Sequence, residues 1–247
     1  MRPLGTAMRD VSVDGEPDVA AVAALLGEPA RAAMCLALAD GRALPAGELA
    51  LRAGVSPQTA SNHLEKLLRG RVLSVEQQGR WRYYRLSGEE VARAVEALAV
   101  IAPRVLKASA RNGSVAGPLR EARTCYGHFA GRFGVALTDA LLDRGWIELS
   151  GRAYVVTDEG IARFAELGIE VRGLRRGPRG LGYTCLDWSE RRHHMAGPLA
   201  TEIVKLAFAW DWVRRVGGTR AVVVTPAGRR ELRRLLDLRL GEARRAG

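Results

Sequence analysis

Cysteine and histidine are scarce in this chain, and long apolar stretches are absent. Three cysteines, Cys35, Cys125 and Cys185, in 247 residues are too few and too scattered for a disulfide framework, and a reducing compartment keeps such residues as thiols. No run approaches the roughly 18 apolar residues of a membrane span, and the opening MRPLGTAMRDVSVDGEPD lacks the apolar centre of a secretion signal. The expected location is therefore the cytoplasm, with no membrane partner. There is no phosphate-binding glycine loop, no nucleophile elbow and no carboxylate pair at catalytic spacing, so no enzyme is expected; a Cys-His dyad is the one nucleophilic arrangement left open.

What is present suits a protein with real cores: 47% of residues are hydrophobic and 26% charged, enough for one large domain or two modest ones. Cys35 lies in the apolar run AAMCLALA and reads as a small buried hydrophobe. The net charge of +11 and the pI near 10.5 point to a polyanionic partner. Residues 1–102 balance 12 basic against 12 acidic side chains, whereas the remainder carries 26 against 15. Within the balanced part, residues 42–85 hold eight basic and three acidic groups.

That basic stretch contains SPQTASNHLEKL, Ser56 to Leu67. At 100° per residue, Ala60, Leu64 and Leu67 share one face, while Gln58, Thr59, Ser61, Asn62, Glu65, Lys66 and Arg69 surround the other. Ser56 followed by Pro57 predicts a helix start, because the serine oxygen caps a free N–H and proline loses nothing at the first helical position. Upstream, PAGELALRAG reads as a short helix ending at Gly54, which makes a helix-turn-helix. Downstream, RVLSVEQQGRWRYYRL alternates around a turn expected at Gln77-Gln78-Gly79, with Tyr84 and Leu86 inward and Arg80 and Arg82 towards the tip. A polar helix face followed by a basic β-wing suits double-stranded DNA: amides and hydroxyls match base edges, and arginines match phosphates or the minor groove.

In VSPQTASNHLEKLLRGRVL and GRWRYYRL the chain resembles the ArsR family of bacterial winged-helix repressors over roughly Val19 to Pro103. The resemblance implies a homodimer, paired through the first and last helices of this domain, that sits on an inverted repeat in a promoter and is released by an inducer. It also implies that Ser56, Gln58, Thr59, Ser61, Asn62 and His63 face DNA with Arg80 and Arg82 on the wing; His63 also suits a packed or capping role. Lys66 and Arg69 read as phosphate contacts on grounds of local charge. EEVARAVEALAVIA supplies an apolar stripe, Val91, Val95, Leu98 and Ala102, suited to pairing with a twin or to packing on the chain's own second half. Departures from the family are as informative: where metal-sensing members carry a cysteine pair, this chain has Ala50 and Arg52, and Ser87 to Pro103 contains no His or Cys. Any sensing then falls to the second half.

That half contains an internal repeat. A shift of 66 aligns His128 with His194 and Trp146 with Trp212, and a shift of 68 aligns Val156-Thr157 with Val224-Thr225 and Gly160 with Gly228. Each copy reads as a helix, a strand starting at Trp, a turn, a strand ending in Val-Thr and a closing helix, with Thr157 as cap and the tryptophans as core anchors. Two copies packed together predict an α+β domain with a groove between them. Leu232, Leu235, Leu236 and Leu240 are expected on one stripe of a long closing helix, with its arginines solvated or touching flanking DNA.

Chemistry concentrates before each copy. Cys125 and His128 are expected on one helical face, and Cys185, Asp187, His193 and His194 lie in TCLDWSERRHHMAG. Brought together, Cys125, His128, Cys185 and His194 make a four-ligand set for a zinc-like metal ion. Structural copying, thiol oxidation and a small organic effector, anionic if Arg123, Arg191 and Arg192 serve it, remain open beside the metal.

The expected fold class is mainly α with small β-hairpins: an N-terminal winged helix-turn-helix, then an α+β domain of two tandem helix–hairpin–helix repeats. The expected organisation is a tail (1–17), a DNA-binding and dimerisation domain (18–102), a linker (103–118) and an effector or assembly domain (119–247, with copies about 119–170 and 185–240). The expected function is a DNA-binding transcriptional regulator acting as a homodimeric repressor under an effector. The alternative is an architectural DNA- or partner-binding protein without an inducer.

Overall fold

The computed structural model describes residues 16–103, 116–177 and 179–240. The expected tail and linker lie mostly outside the described residues. The chain divides into two compact units: one runs up to Cys35 and resumes over Leu44–Ser87, and the other takes Leu36–Ala43 and the chain from Gly88 on.

Elements up to Leu86 are α1 (Val19–Leu26), α2 (Pro29–Leu38), β1 (Leu44–Pro45), α3 (Ala46–Ala53), α4 (Pro57–Arg69), β2 (Leu73–Gln78) and β3 (Trp81–Leu86). They form a winged helix-turn-helix. Gly54, with φ at 67°, ends α3 in the left-handed conformation that glycine adopts without a steric penalty. Ser56 Oγ then accepts from Thr59 N–H at 3.2 Å, with Pro57 opening α4. Ala60, Leu64 and Leu67 are buried as their spacing predicts, each leucine contributing about 1.5–3 kcal/mol. Three strands pair in the order β1-β3-β2, with Tyr84 and Leu86 inside. Gln78 pairs with Trp81, so the wing turn is Gly79-Arg80 and not Gln77-Gln78-Gly79. Strand pairing continues one residue further than glycine position alone suggests, and it places Arg80 in the turn itself. Cys35 is fully buried, and burial pushes its thiol up to about 12.

Beyond Ser87 come α5 (Glu89–Ile101), α6 (Ala116–Glu121), β4 (Arg123–Cys125), β5 (His128–Ala130), α7 (Gly131–Asp143), β6 (Ile147–Ser150), β7 (Ala153–Val156) and α8 (Asp158–Glu166). Then follow β8 (Gly182–Leu186), β9 (His193–Ala196), α9 (Pro198–Ala209), β10 (Val213–Arg215), β11 (Val222–Val224) and α10 (Pro226–Leu236). Hairpin, helix, hairpin, helix thus occurs twice. Thr157 and Thr225 cap α8 and α10 through Gly160 and Gly228 N–H groups at 2.9 and 3.0 Å. Trp146 and Trp212 are buried with Phe129, Leu141, Phe164, Leu199 and Leu232 in one core.

The two runs exchange strand pairings. The hairpin β6-β7 of the first pairs with β8 of the second, Ala153 opposite Tyr183, and Thr184 N–H donates to the Arg152 carbonyl at 3.0 Å. The hairpin of the second meets β4 of the first through Arg123 opposite Ala221, and Thr124 N–H donates to the Arg220 carbonyl at 2.9 Å.

Two expectations are corrected. Cys125 and His128 do not share a helix: they face each other across the tight hairpin β4-β5, whose turn residues Tyr126 and Gly127 both have positive φ. The closing helix ends at Leu236, because Asp237 is left-handed, so Leu240 lies past it while Leu238 is buried. The α5 stripe is divided. Ala92, Val95 and Glu96 are buried, whereas Leu98 and Ile101 stay exposed.

Candidate nucleic-acid interface and a buried cysteine-histidine cluster

Periodicity turns one face of α4 to solvent. Ser56, Gln58, Thr59, Ser61, Asn62 and Lys66 are all exposed. Three of their hydroxyls are partly engaged within the helix: Ser56 Oγ lies 2.9 Å from Thr59 Oγ1, and Ser61 Oγ donates to the Pro57 carbonyl at 3.0 Å. A hydroxyl so engaged keeps a further lone pair, whereas the amides of Gln58 and Asn62 offer a donor and an acceptor together. Arg69 reaches the Glu65 carboxylate at 3.8 Å, both exposed.

His63 differs. Its side chain is 15% exposed, and Nδ1 lies 3.5 Å from both Glu28 Oε2 and Arg31 Nη1. Arg31 is itself held by the carbonyls of Leu25 and Ala24. The imidazole is therefore turned towards the scaffold, while its neighbours in sequence face solvent. On the wing, Arg80 and Arg82 are exposed, their guanidinium groups 5.2 and 5.5 Å from the Trp81 and Tyr84 rings. Such ring contacts hold a cation without neutralising it. Trp81 is exposed beside them, a residue the sequence reading passed over although its place next to the turn marked it.

The second unit brings together the four residues singled out from the sequence. In an antiparallel pair, directly opposed residues project to the same face, and Cys125 opposes His128 just as Cys185 opposes His194. Strand exchange then sets these two Cys-His pairs against each other. Their ligand atoms all lie within 4.8 Å of one another, and the two imidazoles meet Nε2 to Nε2 at 3.1 Å. Cys125, His128 and His194 are buried and Cys185 is half-buried. His193, next in sequence, is exposed and outside the cluster.

Asp187 organises the surroundings. Its carboxylate accepts from Arg123 at 2.9 Å, from the Gly131 N–H at 2.6 Å and from the Ser189 hydroxyl at 2.6 Å. It also lies 3.3 Å from His194 Nδ1, at an angle short of a well-formed hydrogen bond. Burial opposes its charge, but His194, Arg123 and these donors overcome it and hold the carboxyl far below the usual range. Burial likewise opposes a charged His194, and Asp187 and Cys125 reverse that, raising it. The Cys125 thiol is pushed up to about 12 by its hydrogen bond to Cys185 and by burial. Arg123 is thus committed to Asp187 and stacked 4.6 Å from the Trp188 ring, so it is not free for an anionic ligand. Arg192 is paired with Asp139 at 2.9 Å.

Sequence reasoning missed Glu96 altogether. It is buried on α5, accepts from Arg220 at 2.6 Å and lies 4.0 Å from Arg123. A carboxylate inside an otherwise apolar helix stripe was its only signal. Chemically, two thiols and two imidazoles facing inward can ligate a soft metal or be oxidised.

Several known proteins are similar to this chain. A family model for a helix-turn-helix domain matches residues 26–76. The uncharacterized HTH-type transcriptional regulator YdfF of Bacillus subtilis (strain 168) is 39% identical over 224 residues, which cover 91% of this chain and 99% of that protein. Among solved structures, the homodimeric winged helix-turn-helix DNA-binding domain (fragment 1-100) of Mb0332 from Mycobacterium bovis, a possible ArsR-family regulator, is 27% identical. It covers 41% of this chain and all of that one, with a TM-score of 0.33. NolR from Sinorhizobium fredii is 27% identical, covering 33% of this chain and 81% of that one, with a TM-score of 0.31.

Proposed function

Because this chain belongs to the helix-turn-helix transcriptional regulators, we propose that it binds an inverted-repeat promoter site as a homodimer, represses there, and is modulated through its second unit. The observation that carries this reading is α4: a helix with a buried Ala60, Leu64 and Leu67 seam whose opposite face presents the Gln58 and Asn62 amides to solvent. Amides of this kind read adenine edges in the major groove, and phosphate contacts from Lys66, Arg80 and Arg82 supply affinity and register. Ser56, Thr59 and Ser61 contribute hydroxyls at the helix start, where a recognition helix points into the groove. His63 takes the lesser part, fixing α4 against Glu28 and Arg31.

Dimerisation is supported by exposed apolar residues on the two helices that the ArsR-type resemblance assigns to pairing. In α1 no residue is buried, and Val19 and Val22 are exposed; in α5 Leu98 and Ile101 are. Promoter DNA as partner sets the place of action in the cytoplasm. The effector role goes to the second unit, since Ala50 and Arg52 occupy the positions where metal-sensing members of the ArsR family carry cysteines.

The test is a titration of the full chain with a cognate inverted repeat and with a random duplex of equal length, at two salt concentrations. The expected result is tighter cognate binding by about 10³-fold or more, with an affinity that falls steeply with salt. Equal affinity for both duplexes would replace the regulator by the architectural reading.

A further inference from the structure

We infer that Cys125, His128, Cys185 and His194 form a four-coordinate site for a zinc-class divalent metal ion, built jointly by the two halves of the second unit. The inference stands apart from the DNA-binding reading and concerns this cluster alone. Zinc binds thiolate sulfur at about 2.3 Å and imidazole nitrogen at about 2.0–2.1 Å in a tetrahedron. Those bond lengths place ligand atoms about 3.3–3.8 Å apart along the tetrahedron's edges. The imidazole nitrogens are 3.1 Å apart and every pair of ligand atoms lies within 4.8 Å, so closure on an ion needs only side-chain adjustment.

Three further features favour a metal over the other uses of such a cluster. Both histidines present Nε2 to the centre, and His194 keeps Nδ1 beside the Asp187 carboxylate. A carboxylate behind a ligating imidazole fixes ring orientation and strengthens the ligand. Charge also balances. Arg123 and Arg220 offset Asp187 and Glu96 around the cluster, so a divalent ion with two thiolates adds no net charge to a buried place. Binding releases the two thiol protons, the proton held between the facing Nε2 atoms passes to Nδ1 or to solvent, and sulfur and nitrogen each donate an electron pair without any redox change. Lastly, the strand registers agree. Cys opposes His in β4-β5 across a two-residue turn and in β8-β9 across a much longer loop, so the Thr-Cys and His-x-Ala-Gly steps keep one register although the chain between them differs in length.

The experiment uses the full chain, purified under reductant. Metal content is measured directly, and the chelator-stripped protein is then titrated with Co(II), whose visible bands distinguish tetrahedral thiolate coordination from octahedral hydration. Expected are about one zinc per chain and, on one equivalent of Co(II), intense tetrahedral bands with sulfur-to-metal charge transfer, displaced by zinc. Cys185→Ser, chosen because Cys185 is half-buried and serine is nearly isosteric, should abolish the charge-transfer contribution of one thiolate and weaken binding at least tenfold. If that variant fails to fold, the spectrum of the unsubstituted protein decides alone. Substoichiometric metal with only weak octahedral Co(II) bands overturns the inference, and so does a Cys125–Cys185 disulfide that forms in place of metal uptake.

Discussion

Gln58 and Asn62 reach solvent from a helix whose other side is sealed by leucine, and that asymmetry separates two kinds of contribution at the residue level. An amide on a base edge discriminates sequence, with each good pair contributing about 1–3 kcal/mol against the wrong base, whereas an arginine on phosphate contributes counterion release that every sequence shares. Replacing Asn62 by Ala should therefore lower preference for the cognate operator while leaving the slope of log affinity against log salt unchanged. Arg82→Ala should leave the preference and reduce that slope by about one. Fluorescence anisotropy over a salt series on cognate and scrambled duplexes measures both. Arg82 stacks near Tyr84 with no carboxylate partner among the described residues, so its charge remains available. The opposite outcome, a slope change in Asn62→Ala and a preference change in Arg82→Ala, would invert the assignment. The polar face itself was legible in the sequence because helical period and apolar spacing coincide over Ser56 to Leu67. His63 was not, since its fate depends on Glu28 and Arg31, which are distant in sequence and brought near only by packing.

At the scale of elements, two close approaches and one buried carboxylate govern stability. A Cβ on Gly160 would come within 1.9 Å of the Trp146 carbonyl oxygen, and one on Gly228 within 2.2 Å of the Trp212 carbonyl oxygen. Backbone cannot yield as a side-chain tip does, so Gly160→Ala and Gly228→Ala should each lower stability by about 1–3 kcal/mol or more, seen as a fall in the urea midpoint. Helix α5 is held by Glu96, whose burial opposes ionisation but whose pairing with Arg220 and then Arg123 wins and holds its carboxyl below the ordinary range. A lowered folded pKa gives a contribution that is complete above the unfolded value and is lost as pH falls through the folded one. Thermal melts should thus show this support intact at neutral pH and disappearing under acid. Glu96→Gln, leaving the buried Arg220 guanidinium without the carboxylate it pairs with while Arg123 keeps Asp187, should cost about 3–5 kcal/mol at neutral pH and flatten the acid limb. Element order in the second unit was legible, because the tryptophans, the Val-Thr strand ends and the capping threonines recur in it. The hairpins carrying Cys125 and Cys185 were not. Two residues lie between Cys125 and His128 and eight between Cys185 and His194, so an ungapped comparison aligns Cys125 with Arg191, while strand register keeps each cysteine opposite its histidine. Register is a property of pairing across strands, and linear spacing does not report it when loops differ.

For the molecule as a whole, the two proposals put ion and DNA on one chain as two ligands, and their effects on each other are then bound by linkage. The wing strand β3 ends at Leu86 and α5 begins at Glu89, so the chain passes from the DNA-reading elements to the helix that carries Glu96 in three steps. Glu96 faces Arg220 and Arg123, Arg123 holds Asp187, and Asp187 adjoins His194. An ion that fixes the His194 imidazole acts on the carboxylate behind it, and through Arg123 on the group anchoring α5. Coupling of this kind typically amounts to 1–3 kcal/mol, or about 5–150-fold in affinity. Operator affinity of the zinc-loaded protein should therefore differ from that of the stripped protein by a factor within that range. By thermodynamic necessity, saturating operator DNA should change zinc affinity by the same factor and in the same direction. Competition with a chromophoric chelator, with and without operator, measures the second factor, and anisotropy measures the first. Asp187→Asn keeps the shape of the side chain and removes its charge; it should weaken zinc binding by about 10–100-fold and bring both factors towards one. If the two factors are equal and not one, the second unit is the sensor of the regulator; if both are one while zinc still binds stoichiometrically, the ion is a structural staple, and modulation of DNA binding must come from another effector.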